Sequence, residues 1–498
     1  MIENIFLGIQ AIITTPFNFL AILFGVVSGV LIGALPGLTS TMGVSIMLPF
    51  TFMLEPIPGI ALLVALYCGS QYGGSIPGIL LNTPGTSEAA VTAIDGYKLA
   101  QKGMAGQALG TSVIASACGG LLGVILLIIF APAVAKIAIS FAAPEYFCLA
   151  LFGMSMVVNI EAGSELKNII GGITGLFLAT VGIDSLTGFP RFTFGSVSLT
   201  GGISFIPVMI GIFAAAEVFR QAESWCRREF MFDANISNLP AFKDIWRLKW
   251  SMLRSIGIGT LIGALPAAGS TLATFIAYNE AKRWSKQKEK FGTGILEGVA
   301  APESANNAGA AGAMLPTMTV GIPGSAVTAV ILGGLMIHGI RPGPLLFVNQ
   351  ADFVYAIFMG MVLSNFLFLI LGLFGVKVFA NVLRVPSYIL NAVIIVLCVV
   401  GSFVLRNNIA DVWIMLISGI IGYFIKKSGF SPLPIIIGMV LGKTFEVSFR
   451  QTMVLFDNDL TVFLKRPYAA TFLAFTLVSA FWTQIISFLK RFREKRTS

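Results

Sequence analysis

The chain has 498 residues, 56% hydrophobic and only 11% charged, less than half the charged share of a soluble globular domain. That composition excludes a water-soluble fold. At about 20 apolar residues per crossing it leaves room for roughly ten to fourteen membrane segments, so the predicted fold class is an all-α polytopic membrane protein seated in the lipid bilayer.

One histidine, His338, and five scattered cysteines, Cys68, Cys118, Cys148, Cys226 and Cys398, give no metal-ligand spacing and no disulfide framework. No transition-metal site and no cofactor is therefore expected. No G-x-x-x-x-G-K-S/T loop occurs, so the chain has no evident means of hydrolysing ATP, and its energy must come from a gradient or a partner.

In chain order, the opening MIENIFLGIQ lacks the basic region of a cleaved leader and reads as a mature N-terminus. Residues 1–97 contain no Lys or Arg, so nothing in the charge pattern holds their loops in the cytoplasm. The first apolar hairpin, Phe17 to Leu54, turns at GVLIGALPGLTST, and a first break follows at GGSIPGILLNTPGT, Gly73 to Thr86. Apolar runs near 106–131, 145–160, 166–183 and 203–219 complete the first half. The stretch 220–252 carries Trp, Phe and six basic residues, and reads as a cytoplasmic linker lying partly on the membrane surface. Glu161, Glu165 and Asp184 read as loop or interface charges.

Of 32 Lys and Arg, 17 fall in Arg220–Arg254, Lys282–Lys290 and Lys490–Arg496. Basic clusters beside apolar spans mark cytoplasmic loops rather than nucleic-acid binding. The apolar run between Arg254 and Lys282 is therefore flanked by two cytoplasmic clusters. A re-entrant hairpin satisfies both, with arms of about 12 residues reaching about 18 Å and turning at Leu265 to Ser270. One long kinked helix is the alternative. Further runs lie near 295–315, 319–337, 352–380, 388–404, 410–425, 431–442 and 467–489. Within the first of them Glu303 is either a cation ligand or proton carrier, or an acid at a helix end or interface. Glu88 faces the same two readings, and His338 is placed at a helix end near the 339–342 turn.

The two halves repeat. GVLIGALPGLTST at Gly29–Thr41 and GTLIGALPAAGST at Gly259–Thr271 are identical at nine of thirteen positions, at an offset of 230. Gly73–Thr86 matches GAMLPTMTVGIPGS at Gly312–Ser325, at an offset of 239, and AVTA follows both blocks. Proline- and glycine-broken segments at matched places in two halves point to a transporter's binding site. The contrast between basic and charge-free flanks predicts inverted repeats, each with a re-entrant hairpin and a broken helix. The expected organisation is a first membrane repeat with scaffold helices (1–219), the linker (220–252), a second repeat with scaffold helices (253–489) and a basic cytoplasmic tail (490–498). Half-helix N-termini suit a carboxylate and freed carbonyls suit a small cation. No Lys or Arg lies in the motifs themselves; the nearest are Lys98, Lys102 and Arg341. Close helix packing is the other use of such glycines, and it is the one assigned to Gly119, Gly120, Gly123, Gly171, Gly172 and Gly175.

The GALP blocks, NTPGT, GIPGS, the run APESANNAGAAGAMLPTMTVGIPGS and HGIRPGP resemble the large membrane subunit of bacterial tripartite tricarboxylate transporters, the TctA family. The resemblance implies a secondary active importer of citrate-like di- or tricarboxylates in the bacterial inner membrane. It also implies sodium ions or protons as coupling ions, a small four-span membrane subunit and a periplasmic solute-binding protein as partners. No nucleic acid is involved; the C-terminus is expected in the cytoplasm and the N-terminus in the periplasm. Alternating access assigns the substrate to Pro36, Gly37, Thr39, Ser40 and Thr41, to Pro266, Gly269, Ser270 and Thr271, and to Pro84, Gly85, Thr86, Pro323 and Gly324. The coupling ion falls to Asn82, Thr83, Ser87, Ser304, Asn306, Asn307, Gly321 and Ser325. A channel-like passive permease and an intramembrane enzyme are the alternatives; pore-lining rings are not evident for the first, and a lone histidine argues against the second.

Overall fold

The computed structural model describes residues 2–35, 37–160, 164–184, 186–223, 239–266, 269–382 and 387–480. Pro36, Glu161, Cys226, the middle of the linker and the tail at 490–498 lie outside the described residues.

The chain opens with α1 (Ile2–Thr14) and α2 (Pro16–Ala34). Proline starts α2 at a position where its missing N–H costs nothing. Then come α3 (Ser40–Thr51), α4 (Pro56–Gly73), α5 (Ser75–Leu81), α6 (Ala89–Gln101) and the long α7 (Ala105–Ala138). Next are α8 (Ala143–Ile160), α9 (Glu165–Ala179), the antiparallel pair β1 (Gly182–Ile183) and β2 (Pro190–Arg191), α10 (Val197–Thr200), α11 (Phe205–Met209) and α12 (Ala216–Glu223). The second half holds α13 (Phe242–Arg247), α14 (Lys249–Gly263), α15 (Gly269–Trp284), α16 (Leu296–Val320), α17 (Ala326–Ile337), α18 (Leu346–Asn349) and α19 (Ala351–Val382). It ends with α20 (Ser387–Val404), α21 (Ile409–Lys427), α22 (Leu433–Leu455), α23 (Val462–Lys465) and α24 (Pro467–Ala480).

Among the described residues five helices are long and apolar enough to cross a membrane: Pro16–Ala34, Ala105–Ala138, Phe205–Glu223, Ala351–Gly375 and Ile409–Lys427. Five further apolar helices among the described residues have 10–17 residues, fewer than a full crossing takes. Large side chains such as Phe374 (84% exposed) lie open on the helix surfaces, as they do where the solvent is lipid rather than water.

By contacts the chain divides into two compact units, Met1–Ala138 with Met209–Tyr423, and Ile139–Val208 with Phe424–Ser498. Each unit draws on both halves of the sequence. In the first, α2 lies along α4, and α16 lies along α7 and α14. The sequence repeat recurs as packing. Gly29 of α2 sits on the Leu66 carbonyl of α4, and Gly259 of α14 sits on the Ala305 carbonyl of α16; Gly33 and Gly263 repeat this on Ser70 and Gly309. A Cβ at any of these four positions meets backbone, so only glycine permits the approach.

In the second unit α22 packs on α8 and α9, and α24 packs on α8. Arg450 Nη1 donates to Asp184 Oδ2 at 2.7 Å and Arg191 Nη1 to Glu446 Oε1 at 2.5 Å, tying the β1–β2 loop to α22. Asp184, in the loop after β1, is thus a buried and paired acid. Arg466 Nε donates to the buried Glu145 at 2.5 Å.

Candidate functional site

Each matched motif forms a helix interruption inside the first unit. The first tip joins α2 to α3 through residues 35–39, and Gly37 takes a positive φ of 92° there. Thr39 caps α3, its Oγ1 accepting from Met42 N at 3.3 Å. The second tip joins α14 to α15, which pack on one another. These arms have 15 and 16 residues, longer than the expected 12, because the helices continue through the basic flanks at Lys249, Arg254, Lys282 and Arg283. Such long side chains reach polar surroundings while their helix goes on.

Both breaks end in the same way. Asn82 closes α5 and Gly321 closes α16 in the left-handed region, at φ 54° and 74°, and their amides donate to the carbonyls of Pro77 and Pro316. These are equivalent residues at the offset of 239. Asn is the residue that best tolerates this conformation after glycine. Beyond each break Gly85 packs against Gly74, and Gly324 against Ala313, again at the same offset. Ser325 forms a capping box with Thr328, so the N-terminus of α17 already has a hydroxyl on its third amide.

The second tip and both breaks come together. An added methyl at Gly269 reaches 3.9 Å from the Ser325 Cβ, and Ser325 Oγ lies 3.5 Å from the hydroxyl of Tyr67 on α4. Ser270, Gln71 and Glu88 lie near that hydroxyl. Thr271 Oγ1 donates to Glu88 Oε1 at 3.3 Å, and Ser87 Oγ to Glu88 Oε2 at 3.4 Å. The first tip goes elsewhere: Gln221 on α12 donates to the Gly37 carbonyl at 3.1 Å. Among the described residues no hydrogen bond joins Gly37, Thr39, Ser40 or Thr41 to Gly269, Ser270 or Thr271. From the first tip α2 reaches the first break, where the Gly33 carbonyl meets Gly85.

Asn306 and Asn307 lie mid-helix in α16 and donate to the Gln71 and Cys68 carbonyls of α4 at 3.2 and 3.3 Å. Their own side-chain oxygens are buried without partners, as are those of Gln71, Ser304, Ser270, Ser40, Thr83 and Thr86. Buried oxygens of this kind ordinarily find a partner. Pro84, Pro323 and Pro266 shape the segments rather than presenting polar groups.

Glu303 is fully buried, eight residues into α16. Thr92 of α6 donates to its Oε1 and Ser116 of α7 to its Oε2, both at 2.6 Å. Among the described residues every other buried acid has a basic partner, except Asp95, which accepts from Tyr278 and from the amides of Gly292 and Gly294. Lys98 and Lys102 donate to the Gly292 and Thr293 carbonyls, away from the tips. His338 caps the end of α17, as expected. Gly119, Gly120, Gly123 and Gly175 serve close packing, against Ser304, Asn365, Ala308 and Ile435.

Tyr67, Gln71, Thr92 and Ser116 escaped the sequence reading. A signal existed for the first: at the offset of 239, Tyr67 is the counterpart of Asn306 and Cys68 of Asn307.

Comparison with known proteins gives one family match, the Tripartite tricarboxylate transporter TctA family, over residues 19–437. An uncharacterized 52.8 kDa protein in the TAR-I ttuC' 3'region of Agrobacterium vitis is 38% identical over 496 residues, covering 100% of this chain and 98% of that protein. An uncharacterized protein in the TAR-II ttuC' 3'region of the same organism is 37% identical over 238 residues, 48% of this chain and 97% of its own length. No solved structure matches.

Proposed function

We propose, from the premise that this chain belongs to the tripartite tricarboxylate transporter TctA family, that it is a cation-coupled carrier importing di- or tricarboxylates by alternating access. The family consists of transporters, not enzymes, and its members work with other components of a tripartite system. In our reading those components are a small four-span subunit and a solute-binding protein on the outer side of a bacterial inner membrane. The two halves lie inverted, their hairpins re-entrant, with the linker and C-terminal tail in the cytoplasm.

The observation that carries this reading is the convergence of Gly269, Ser325, Tyr67 and Glu88, contributed by a tip, a break and the helix packed against them. The second tip offers the start of α15 to a carboxylate, whose charge is met by amide dipoles and hydroxyls rather than by a cation. Thr39 and Ser325 already cap the starts of α3 and α17, so the substrate depends most on Gly269, Ser270 and Thr271. The Pro84–Thr86 and Pro323–Gly324 segments complete the pocket in this scheme.

The coupling ion sits on the α4–α16 side. Unpartnered oxygens of Asn306, Asn307, Gln71 and Ser304 support a sodium ion there, since hard cations take oxygen ligands. Asn82, Thr83, Ser87, Gly321 and Ser325 flank the route to it. Glu303, ringed by hydroxyls without a basic partner, supplies negative charge or carries a proton.

The test is uptake into proteoliposomes holding this chain and its small partner, with binding protein outside and sodium or proton gradients imposed separately. Accumulation of a di- or tricarboxylate against its own gradient, driven by one of the two cations, is the expected result. Equilibration without accumulation under either gradient would make the chain a passive permease and overturn the reading.

A further inference from the structure

A cleft of about 510 Å³ opens in the first unit, away from the tips and breaks. Its walls are two helix stripes, Ile114, Cys118 and Leu122 on α7, and Met252, Leu253 and Ile256 on α14; α13 lies at its head with Ile245 and Trp246. Gly110 of α7 packs on Pro240 at that head, so both stripes descend from one mouth. From Ile114 to Leu122 the slot runs about 12 Å at helical rise. Its volume is in the range of a site for a small apolar ligand, and its lining runs along α7 and α14.

The mouth is basic and aromatic. Lys249 is the charged residue of the lining, and its Nζ lies 4.2 Å from the Trp246 ring centroid. Lys243 and Arg247 flank it on α13, with Asp244 as the acid on that helix, 3.8 Å from Arg247. Phe242, Trp246 and Trp250 are exposed beside them. Tryptophan and basic groups together suit the headgroup level of a bilayer.

We propose that this cleft binds one anionic phospholipid, an acyl chain lying between α7 and α14 and the phosphate held by Lys249 with Lys243 and Arg247. Apolar walls alone would accept any chain; the basic mouth selects the headgroup. The ligand is structural or regulatory, distinct from the transported carboxylate, and the assignment does not depend on the proposed function.

Cys118 lines the slot and is the reporter. Cys68, Cys148 and Cys398 are buried, and Cys226 is replaced by serine for the assay. Delipidated protein in detergent is mixed with phosphatidylglycerol, with phosphatidylcholine of the same chains, or with inorganic phosphate, and maleimide labelling of Cys118 is timed; native mass spectrometry counts bound lipid. Phosphatidylglycerol should slow labelling, with an apparent affinity roughly fivefold above phosphatidylcholine for each basic group engaged. Inorganic phosphate should protect nothing. Lys249→Gln should remove most of the preference while keeping chain binding, and Ile114→Trp, which fills the slot, should slow labelling without lipid. Equal protection by both lipids in the parent and in Lys249→Gln would mean unselective annular lipid and overturn the proposal. So would labelling that no lipid changes, which would mean that the slot is filled by protein.

Discussion

The two tips share a sequence and differ in company. The second brings Gly269 to Ser325 and Thr271 to Glu88; the first hands its Gly37 carbonyl to Gln221. Their supporting helices differ in the same sense. At the offset of 239 the buried acid Glu303 of α16 corresponds to Val64 of α4, and Asn306 corresponds to Tyr67. Backbone geometry has been kept in both halves, down to the proline carbonyls that close Asn82 and Gly321. Polar chemistry has not. Duplication supplies two equivalent frames, and the side chains set on them differ.

The largest expected effect lies where the halves differ most. Glu303→Gln keeps the shape and one hydrogen-bond acceptor while removing the ionisable carboxyl, so protein should still assemble. Coupled uptake should fall about a hundredfold, which corresponds to about 2.7 kcal/mol in a rate. Val64→Leu, at the matched position, should cost no more than about threefold. Comparable losses at both positions would mean that packing, not charge, matters at this level of the helices.

A smaller effect separates the tips. Ser270→Ala removes a fully buried hydroxyl beside Tyr67, and uptake should drop about tenfold, the worth of one hydrogen bond to a charged group. Ser40→Ala, buried at the first tip, should cost about threefold or less. The measurement is initial uptake rate at equal expression; the reverse order would place the substrate at the first tip.

Where the frames agree, mutations should agree. Gly29→Ala and Gly259→Ala each press a methyl on the carbonyl of the facing helix. Both should destabilise by about 1–3 kcal/mol, the usual cost of overpacking, with thermal midpoints in detergent falling together. A fall in one variant alone would break the structural equivalence of the halves.

These contrasts also explain what a linear reading can reach. The helices fall on the apolar runs, and the interruptions fall on proline and glycine, because both signals are local. Membership of the family was legible in APESANNAGAAG and the GALP blocks for the same reason. Ser116 and Gln71 carry no local mark: each is a polar residue in an apolar helix, given meaning only by an acid or amide 187 and 235 positions away, and Thr92, though inside the repeated AVTA, gains its role only from an acid 211 positions away. Charge pairing in the second unit was hidden likewise, since Asp184 meets Arg450 across 266 positions.

That pairing gives the mildest test, and it sits outside the tips. The hydrogen bond from Arg450 holds the Asp184 carboxyl well below the ordinary carboxylate range, and the Leu186 amide adds to this. A depressed carboxylate stabilises the fold above its ordinary value near 3.9, and the contribution is lost as pH falls through the folded value. Asp184→Asn should therefore melt slightly below the parent at neutral pH, and the two should converge as the pH is lowered beneath about 4, read as thermal midpoints in detergent. Arg450 retains Glu446 at 3.3 Å in the variant, so its charge stays compensated and the loss should be small. Uptake should not change in proteoliposomes at neutral pH. If it fell as far as in Ser270→Ala, the Asp184–Arg450 pair would belong to the transport machinery, and division of the chemistry between the two matched frames alone would be incomplete.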